Sequence, residues 1–191
     1  KMAAMEANTE PYLKTSVWKH ARHRIVWLLV LMLSASITGA IISKYEAAFA
    51  AVPLLVSFIP MLMDTGGNCG SQSSTLIIRG LAVDELHFAD AAKVIWKELR
   101  VALLVGLGLG IVNAGSIMLR YNDPRLAVVV SLSLLCTVMC AKVTGGLLPI
   151  AAKRLGLDPA LMAAPLITTV VDTVSMFIYF TVATMLFGMC K

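Results

Sequence analysis

The sequence predicts an all-α integral membrane protein with five transmembrane helices in each subunit. Of its 191 residues, 59% are hydrophobic and 14% are charged, and the mean hydropathy is +0.84. Soluble domains are about half apolar and about one quarter charged. Several apolar runs exceed the roughly 18 residues that a helix needs to cross the hydrocarbon core. These runs recur along the chain, so we expect one integral domain.

Five apolar segments divide the chain into membrane spans. The expected spans cover residues 24–43, 47–82, 101–119, 126–152 and 159–190. Residues 1–23 are polar, and we interpret them as a cytoplasmic amphipathic linker segment before a five-helix transmembrane domain over residues 24–191. As a single helix the second segment would be more than ~50 Å long, at ~1.5 Å per residue. We therefore expect Pro53 and Pro60 to bend it.

The connectors between the spans carry most of the charged residues. We expect a charged connector over residues 83–100 and a turn at residues 121–124. Asp158 is placed to cap the fifth helix, with Pro159 in its first turn. Eleven Lys and Arg residues fall on the side of the N-terminus, and four fall on the other side. The positive-inside rule therefore places the N-terminus in the cytoplasm and the C-terminus outside.

Residues 60–82, PMLMDTGGNCGSQSSTLIIRGLA, hold more polar groups than a membrane helix usually carries. Six polar residues recur at helical spacing and form one stripe: Asp64, Asn68, Ser71, Gln72, Thr75 and Arg79. We call this set the polar stripe, and we expect it to contact water or ions. Gly66 and Gly70 form a GxxxG pair beside Gly67, which lets another backbone or a hydrated ion come close. Hydrogen bonds between helices are the plainer explanation, but the segment holds too many polar groups for that role alone.

The fifth span repeats the polar pattern in LITTVVDTVSMFIYF, where Thr168 and Asp172 lie one turn apart and Thr169 lies between them. Hydroxyl, carbonyl and carboxylate oxygens are hard donors that suit a magnesium-like ion held through its own waters. One Asp offers a single charge to a divalent cation, whereas two copies of Asp172 across a dimer axis would offer a pair. Lys142, inside the fourth span, is expected to snorkel or to pair with a carboxylate.

Other chemistries have weaker support in the sequence. The triplet DTG at residues 64–66 occurs in soluble aspartic proteases, but there it sits in β loops, and the second acid, Asp172, is followed by TV. GLGLG at residues 106–110 lies inside a span, so helix packing explains it better than a dinucleotide loop. Cys136 and Cys140 share a helix face, but two thiols alone make a poor metal site. Basic residues cluster at span ends, which does not suggest a nucleic-acid partner.

The two polar motifs, PMLMDTGGNCGSQSSTLIIRGLA and LDPALMAAPLITTVVDTVSMFIYF, closely resemble the transmembrane domain of the MgtE family of magnesium channels or transporters. The resemblance also covers PYLKTSVWKHARHRIVWLLVL and WKELRVALLVG, and so nearly the whole chain. It implies a homodimer with a central cation pathway lined by the second and fifth helices of each subunit. It also implies upstream cytosolic regulatory domains that these residues do not include, in which case residues 1–23 would end the linking helix.

The resemblance also assigns roles to individual positions. It places the pore carboxylate at Asp172 and the rest of the ion site at Thr168 and Ala164, largely through backbone oxygens. Ala164 stands where some family members have a polar side chain, which weakens side-chain coordination there. Together with the polar stripe, the expected pore lining comprises Asp64, Gly67, Asn68, Gly70, Ser71 and Thr169.

We therefore expect a homodimeric, multi-pass channel of the plasma or inner membrane that conducts Mg²⁺ and other divalent cations. Mg²⁺ is then the transported ion, and we expect no organic cofactor, no enzymatic activity and no nucleic-acid partner. The alternative is a proton- or sodium-coupled divalent cation transporter on the same fold, with Asp172 titrating during transport. A passive membrane anchor is the third class, and the acids within the spans argue against it.

Overall fold

The computed structural model describes residue 13 and residues 15–159 and 164–188 of the chain. The regular structure in these residues is helical. Six α-helices follow one another: α1 (Val17–Lys44), α2 (Glu46–Ala51), α3 (Ile59–Ala82), α4 (Ala91–Tyr121), α5 (Pro124–Arg154) and α6 (Ala164–Leu186). Short 3-10 helices precede α3 at Pro53–Phe58 and α4 at Phe88–Asp90. The prediction of an all-α protein is confirmed for the described residues.

Four of these helices are long and apolar enough to cross a membrane. Among the described residues they are α1, α4 with the short 3-10 helix before it (Phe88–Tyr121), α5, and α6 from Leu166 to Leu186. With its 24 residues α3 is also long, but it carries the polar stripe and is not among the four. The prediction that this segment is the second of five spans therefore stays a prediction, as do the dimer and the orientation.

The first helix begins earlier than the sequence predicted, at Val17 instead of residue 24. The Ser16 side chain caps it by accepting a hydrogen bond from the Lys19 amide at 3.3 Å. Residues 1–12 and 14 of the expected linker segment lie outside the described residues. Most α1 side chains are exposed, and one of its few internal polar contacts is a 2.8 Å hydrogen bond between the Thr38 and Thr173 hydroxyls.

The predicted second span is divided into α2, a 3-10 helix and α3. The chain leaves the helical conformation at Val52, and Pro53 begins the 3-10 helix. Pro53 thus marks the expected bend. Pro60 lies in the first turn of α3, where a missing N–H is tolerated, and it does not bend the helix. The Tyr179 hydroxyl donates a 2.9 Å hydrogen bond to the Leu55 carbonyl and so fixes this break against α6.

The fourth helix corrects the sequence prediction most clearly. Residues 83–100 were expected to form a connector, but α4 begins at Ala91. His87 and Asp90 form a capping box just before it, and the Lys93 ammonium lies 2.9 Å from the Asp90 carboxylate. The charged residues that follow are good helix formers, so nothing interrupts the helix before the membrane segment. α4 ends at the predicted turn, where Asn122 has a left-handed backbone conformation and the Asp123 side chain caps α5.

The last predicted span, 159–190, corresponds to α6 over Ala164–Leu186. Residues 160–163 and 189–191 lie outside the described residues, so the expected cap at Asp158 and first turn at Pro159 remain predictions.

The core lies where α5 packs between α3, α4 and α6. Fully buried side chains from three of these helices meet there, and they include Leu62, Val130, Val138, Ile167 and Met176. The backbones of α3 and α5 approach each other closely, because a Cβ atom on Gly145 would overlap the Gly70 carbonyl oxygen. This contact positions α3 against the rest of the bundle.

We predict that Gly145→Ala destabilises the protein by about 1–3 kcal/mol, because α3 must move away to accept the added methyl group. Thermal unfolding of the purified protein in detergent measures this as a lower midpoint. Gly108→Ala is the matched control, since nothing lies within 4 Å of a Cβ at Gly108. It should be neutral or slightly stabilising. Equal midpoints for the two variants would contradict the packing described here.

Candidate functional site

The polar stripe of α3 lies on the face that points away from the helix bundle. Asp64, Asn68, Gln72, Thr75 and Arg79 are exposed, and Ser71 is half-buried. The opposite face is buried and includes Leu62, Gly66, Gly70, Ser73 and Ile77. The helical spacing seen in the sequence therefore gives one polar, exposed face, as predicted.

Three glycines allow the buried face of α3 to contact α5 and α6 closely. A Cβ on Gly67 would lie 2.9 Å from the Thr168 methyl carbon, and one on Gly70 would lie 2.8 Å from Ile167 Cγ2. A Cβ on Gly66 would meet the Thr137 and Val171 side chains at 2.8 and 2.9 Å. The predicted close approach of another backbone is confirmed. Since Gly67 and Gly70 are buried in the subunit, a role in the pore lining would involve their backbone atoms.

The acids of α3 and α6 lie on the same side of the subunit. Asp172 is half-buried on α6, and Asp64 is exposed on α3, which contacts α6 closely at Gly67 and Thr168. Within the described residues, neither carboxylate has a Lys, Arg or His nitrogen within 4 Å. We call Asp64 and Asp172 the acidic pair; two carboxylates without a cationic side chain beside them would attract a cation.

The other predicted site residues surround this acidic pair. Thr168 lies one turn before Asp172 and packs on Gly67. Thr169 is half-buried, and its carbonyl accepts a 3.0 Å hydrogen bond from the Thr173 hydroxyl. Ala164 is the first residue of α6, and its side chain lies outside the described part. The structure thus brings Asp64, Thr168 and Asp172 to the contact between α3 and α6.

In the described ranges, 15–159 and 164–188, no three His, Cys, Asp or Glu side chains come together in a way that could hold a metal ion. The oxygen donors near Asp172 are hard ligands of the kind that suit a magnesium-like ion.

A buried polar cluster on the other side of α3 was not predicted from the sequence. Lys142, Ser73 and Glu98 are 5%, 1% and 8% exposed. The Ser73 hydroxyl donates a 2.6 Å hydrogen bond to the Glu98 carboxylate, and the Lys142 ammonium donates one of 3.4 Å to Ser73. Lys142 therefore does not snorkel. It reaches a carboxylate through a hydroxyl group, which is close to the expected pairing.

The sequence held a signal for Glu98. Val94, Glu98, Ala102, Gly106 and Gly110 recur every four residues and are all buried in the structure. This pattern continues the interior face of α4 toward its N-terminus. It could have been recognised if the helix had been extended through the charged residues.

Comparison with known proteins identifies the family of this chain. The family model MgtE, for divalent cation transporters, matches residues 59–182. The chain belongs to the MgtE family. The match begins at the first residue of α3 and extends beyond Asp172, so it covers the polar stripe and both acids. The resemblance drawn from the sequence motifs is confirmed.

Individual MgtE relatives match over most of this chain. It is 41% identical to the magnesium transporter MgtE of Thermus thermophilus over 165 aligned residues. These residues make up 85% of this chain and 36% of the relative. It is 34% identical over 170 residues to the magnesium transporter MgtE of Bacillus subtilis, which covers 89% of the chain and 38% of the relative. The chain thus spans well under half the length of these relatives.

We predict that the polar stripe of this MgtE chain is open to water in the membrane. In a background without native cysteines, Asn68→Cys and Gln72→Cys should react with a charged thiol reagent at least about tenfold faster than Leu104→Cys. Leu104 is the control because it is 74% exposed on the apolar surface of α4 and should face lipid. Ser74→Cys, 1% exposed in the native residue, should stay unlabelled. Equal rates at residues 68, 72 and 104 would contradict a water-filled space along the stripe.

Proposed function

We propose that two copies of this chain form a transmembrane pore for Mg²⁺, in which paired Asp172 carboxylates hold a largely hydrated ion. The observation that carries the proposal is the acidic pair. Asp64 and Asp172 lie on two helices that contact each other at Gly67 and Thr168, and neither acid has a cationic side chain within 4 Å in the described residues. The matched relatives are magnesium transporters by name, which supports Mg²⁺ as the ion.

The exposure of the polar stripe supports a dimer. Asp64, Asn68 and Gln72 are exposed in the single subunit, although they lie on a helix between apolar helices. Charged and amide groups cost several kcal/mol in hydrocarbon, so this face requires water, an ion or another subunit beside it. A second copy placed across a two-fold axis would enclose the stripe and double every charge on it.

The chemistry of the acidic pair suits magnesium in particular. Mg²⁺ dehydrates reluctantly and usually keeps several waters when it binds to proteins. Two Asp172 carboxylates would attract the ion by charge, while Asn68 and the backbone oxygens of α6 near Thr168 and Ala164 would accept hydrogen bonds from its waters. Such a site is strong enough to admit a divalent ion and loose enough to release it, as conduction requires.

The remaining features of the proposal concern the cell. We place the protein in the plasma or inner membrane as a multi-pass protein, with its N-terminus in the cytoplasm, on the strength of its basic residues. The relatives are longer than this chain, and we propose that cytosolic regulatory domains act on the pore. A carrier coupled to protons or sodium would differ in one respect, because its Mg²⁺ uptake would follow an imposed gradient of that ion.

We predict that Asp172→Asn lowers Mg²⁺ flux by at least about tenfold, because the amide keeps the size of the side chain but removes the charge that attracts the ion. Asp64→Asn should reduce the flux less, since we place Asp64 toward the outer half of the pore. A fluorescent Mg²⁺ indicator inside proteoliposomes measures both variants.

The control for this experiment is Asp84→Asn, which removes a carboxylate from the exposed turn after α3. Asp84 has a left-handed backbone, φ 59°, which Asn tolerates. Its flux should match that of the wild type. Unchanged flux in a folded Asp172→Asn variant would remove Asp172 from the mechanism.

A further inference from the structure

A charged group lies buried directly behind the proposed ion path. Lys142 and Glu98 come from α5 and α4, and Ser73 of α3 lies between them. On the helical wheel, Ser73 lies opposite the polar stripe, so the Lys142 ammonium is about one helix diameter, roughly 10 Å, from the ion path. Ser73 also lies only five residues after Asn68, or about 7.5 Å along the axis.

The Lys142 ammonium contacts a residue of the polar motif of α3. It donates a 3.4 Å hydrogen bond to the Ser73 hydroxyl, and Ser73 lies one helical turn after Cys69, which is also buried. Water screens a buried charge poorly, so an unneutralised Lys142 would repel a divalent cation on the other side of α3. A cation pore with such a group in its wall needs an anion beside it.

Glu98 is the carboxylate in the right place. Its carboxylate accepts a 2.6 Å hydrogen bond from the Ser73 hydroxyl, and the residue is 8% exposed. The small residues of α5 make room for it, because a Cβ on Gly146 would already lie 3.4 Å from the Glu98 Cγ atom. Glu98 therefore brings one negative charge to the interior, equal and opposite to that of Lys142.

The other charged groups near Glu98 are exposed to solvent. A cavity of about 310 Å³ on the far side of Glu98 is lined in part by Arg79, Glu85 and Lys97. All three are exposed, so water and salt screen their charges. They are therefore poor substitutes for Glu98 as a partner of the buried ammonium.

We propose that Glu98 is a positioning residue for ion transport: through Ser73 it neutralises Lys142 behind α3 and holds the polar stripe against α4 and α5. The proposal rests on the proposed function, since it assumes that a divalent cation passes along the stripe. On this proposal, loss of Glu98 and loss of Lys142 have different effects on the transported ion. Removal of Glu98 leaves a positive charge near the path, whereas removal of Lys142 does not.

The test is a mutant cycle of Glu98→Gln, Lys142→Met and the double variant, reconstituted in proteoliposomes. The Mg²⁺ concentration that gives half-maximal flux is measured for each, with thermal unfolding as the check on folding. Glu98→Gln should raise this concentration by roughly tenfold, because one unit charge then repels a doubly charged ion. Lys142→Met should not raise it, and the double variant should return to within about threefold of the wild type.

A purely structural role predicts a different result. Loss of packing would impair both single variants in the same direction, and the double variant would be the worst of the three. That result, or an unchanged half-maximal concentration in a folded Glu98→Gln protein, would overturn the proposal. Glu85→Gln is the matched control, since it removes an exposed acid from the same cavity and should behave as the wild type.

The same experiment separates this inference from the proposed function. If the wild type carries Mg²⁺ and Asp172→Asn abolishes the flux, the pore stands whatever the cycle shows. If the folded wild type carries no Mg²⁺, the proposed function fails and the role of Glu98 fails with it.

Discussion

The close contact between the backbones of α3 and α5 determines how the polar residues of this protein are arranged. Gly70 and Gly145 meet with no room for a side chain on Gly145, and Gly66 and Gly67 let α3 pack directly on side chains of α6. Because the glycine face of α3 packs against α5 and α6, its polar stripe lies on the side away from the bundle. A membrane protein cannot leave that stripe in hydrocarbon, so the packing creates the need for a hydrated path.

Charged groups have an opposite charge nearby on the buried side of α3 but not on its exposed side. On the buried face, Lys142 is met by Glu98 through Ser73, so the interior carries no net charge at that point. On the other side, Asp64 of α3 is exposed and Asp172 of α6 is half-buried, and the described residues supply neither with a cationic side chain within 4 Å. Carboxylates at membrane depth are costly to maintain unless a cation or water accompanies them. The missing partner is, in our account, the transported ion.

Much of this arrangement could be predicted from the sequence, because the spacing of polar residues in α3 and the pairing of Thr168 with Asp172 are local signals. The start of α4 could not, since charged residues at 93–100 favour a connector by composition while having good helix propensity. Glu98 was missed for the same reason. Its importance depends on a contact with Lys142 and Ser73, and their positions relative to one another are set by tertiary packing. The break before α3 was foreseen at Pro53, but not its 3-10 geometry or the Tyr179 hydrogen bond that holds it.

The central claim is that Asp172 and its symmetry mate attract a divalent ion along the polar stripe. The most direct test is a crystal structure of the protein grown with Mn²⁺, which shares the oxygen ligands of Mg²⁺ and scatters anomalously. Our account predicts an anomalous peak on a two-fold axis, about 4 Å from the Asp172 carboxylate oxygens, with one layer of water between. Two subunits whose Asp172 residues are far apart, or a structure with no peak near them, would contradict it.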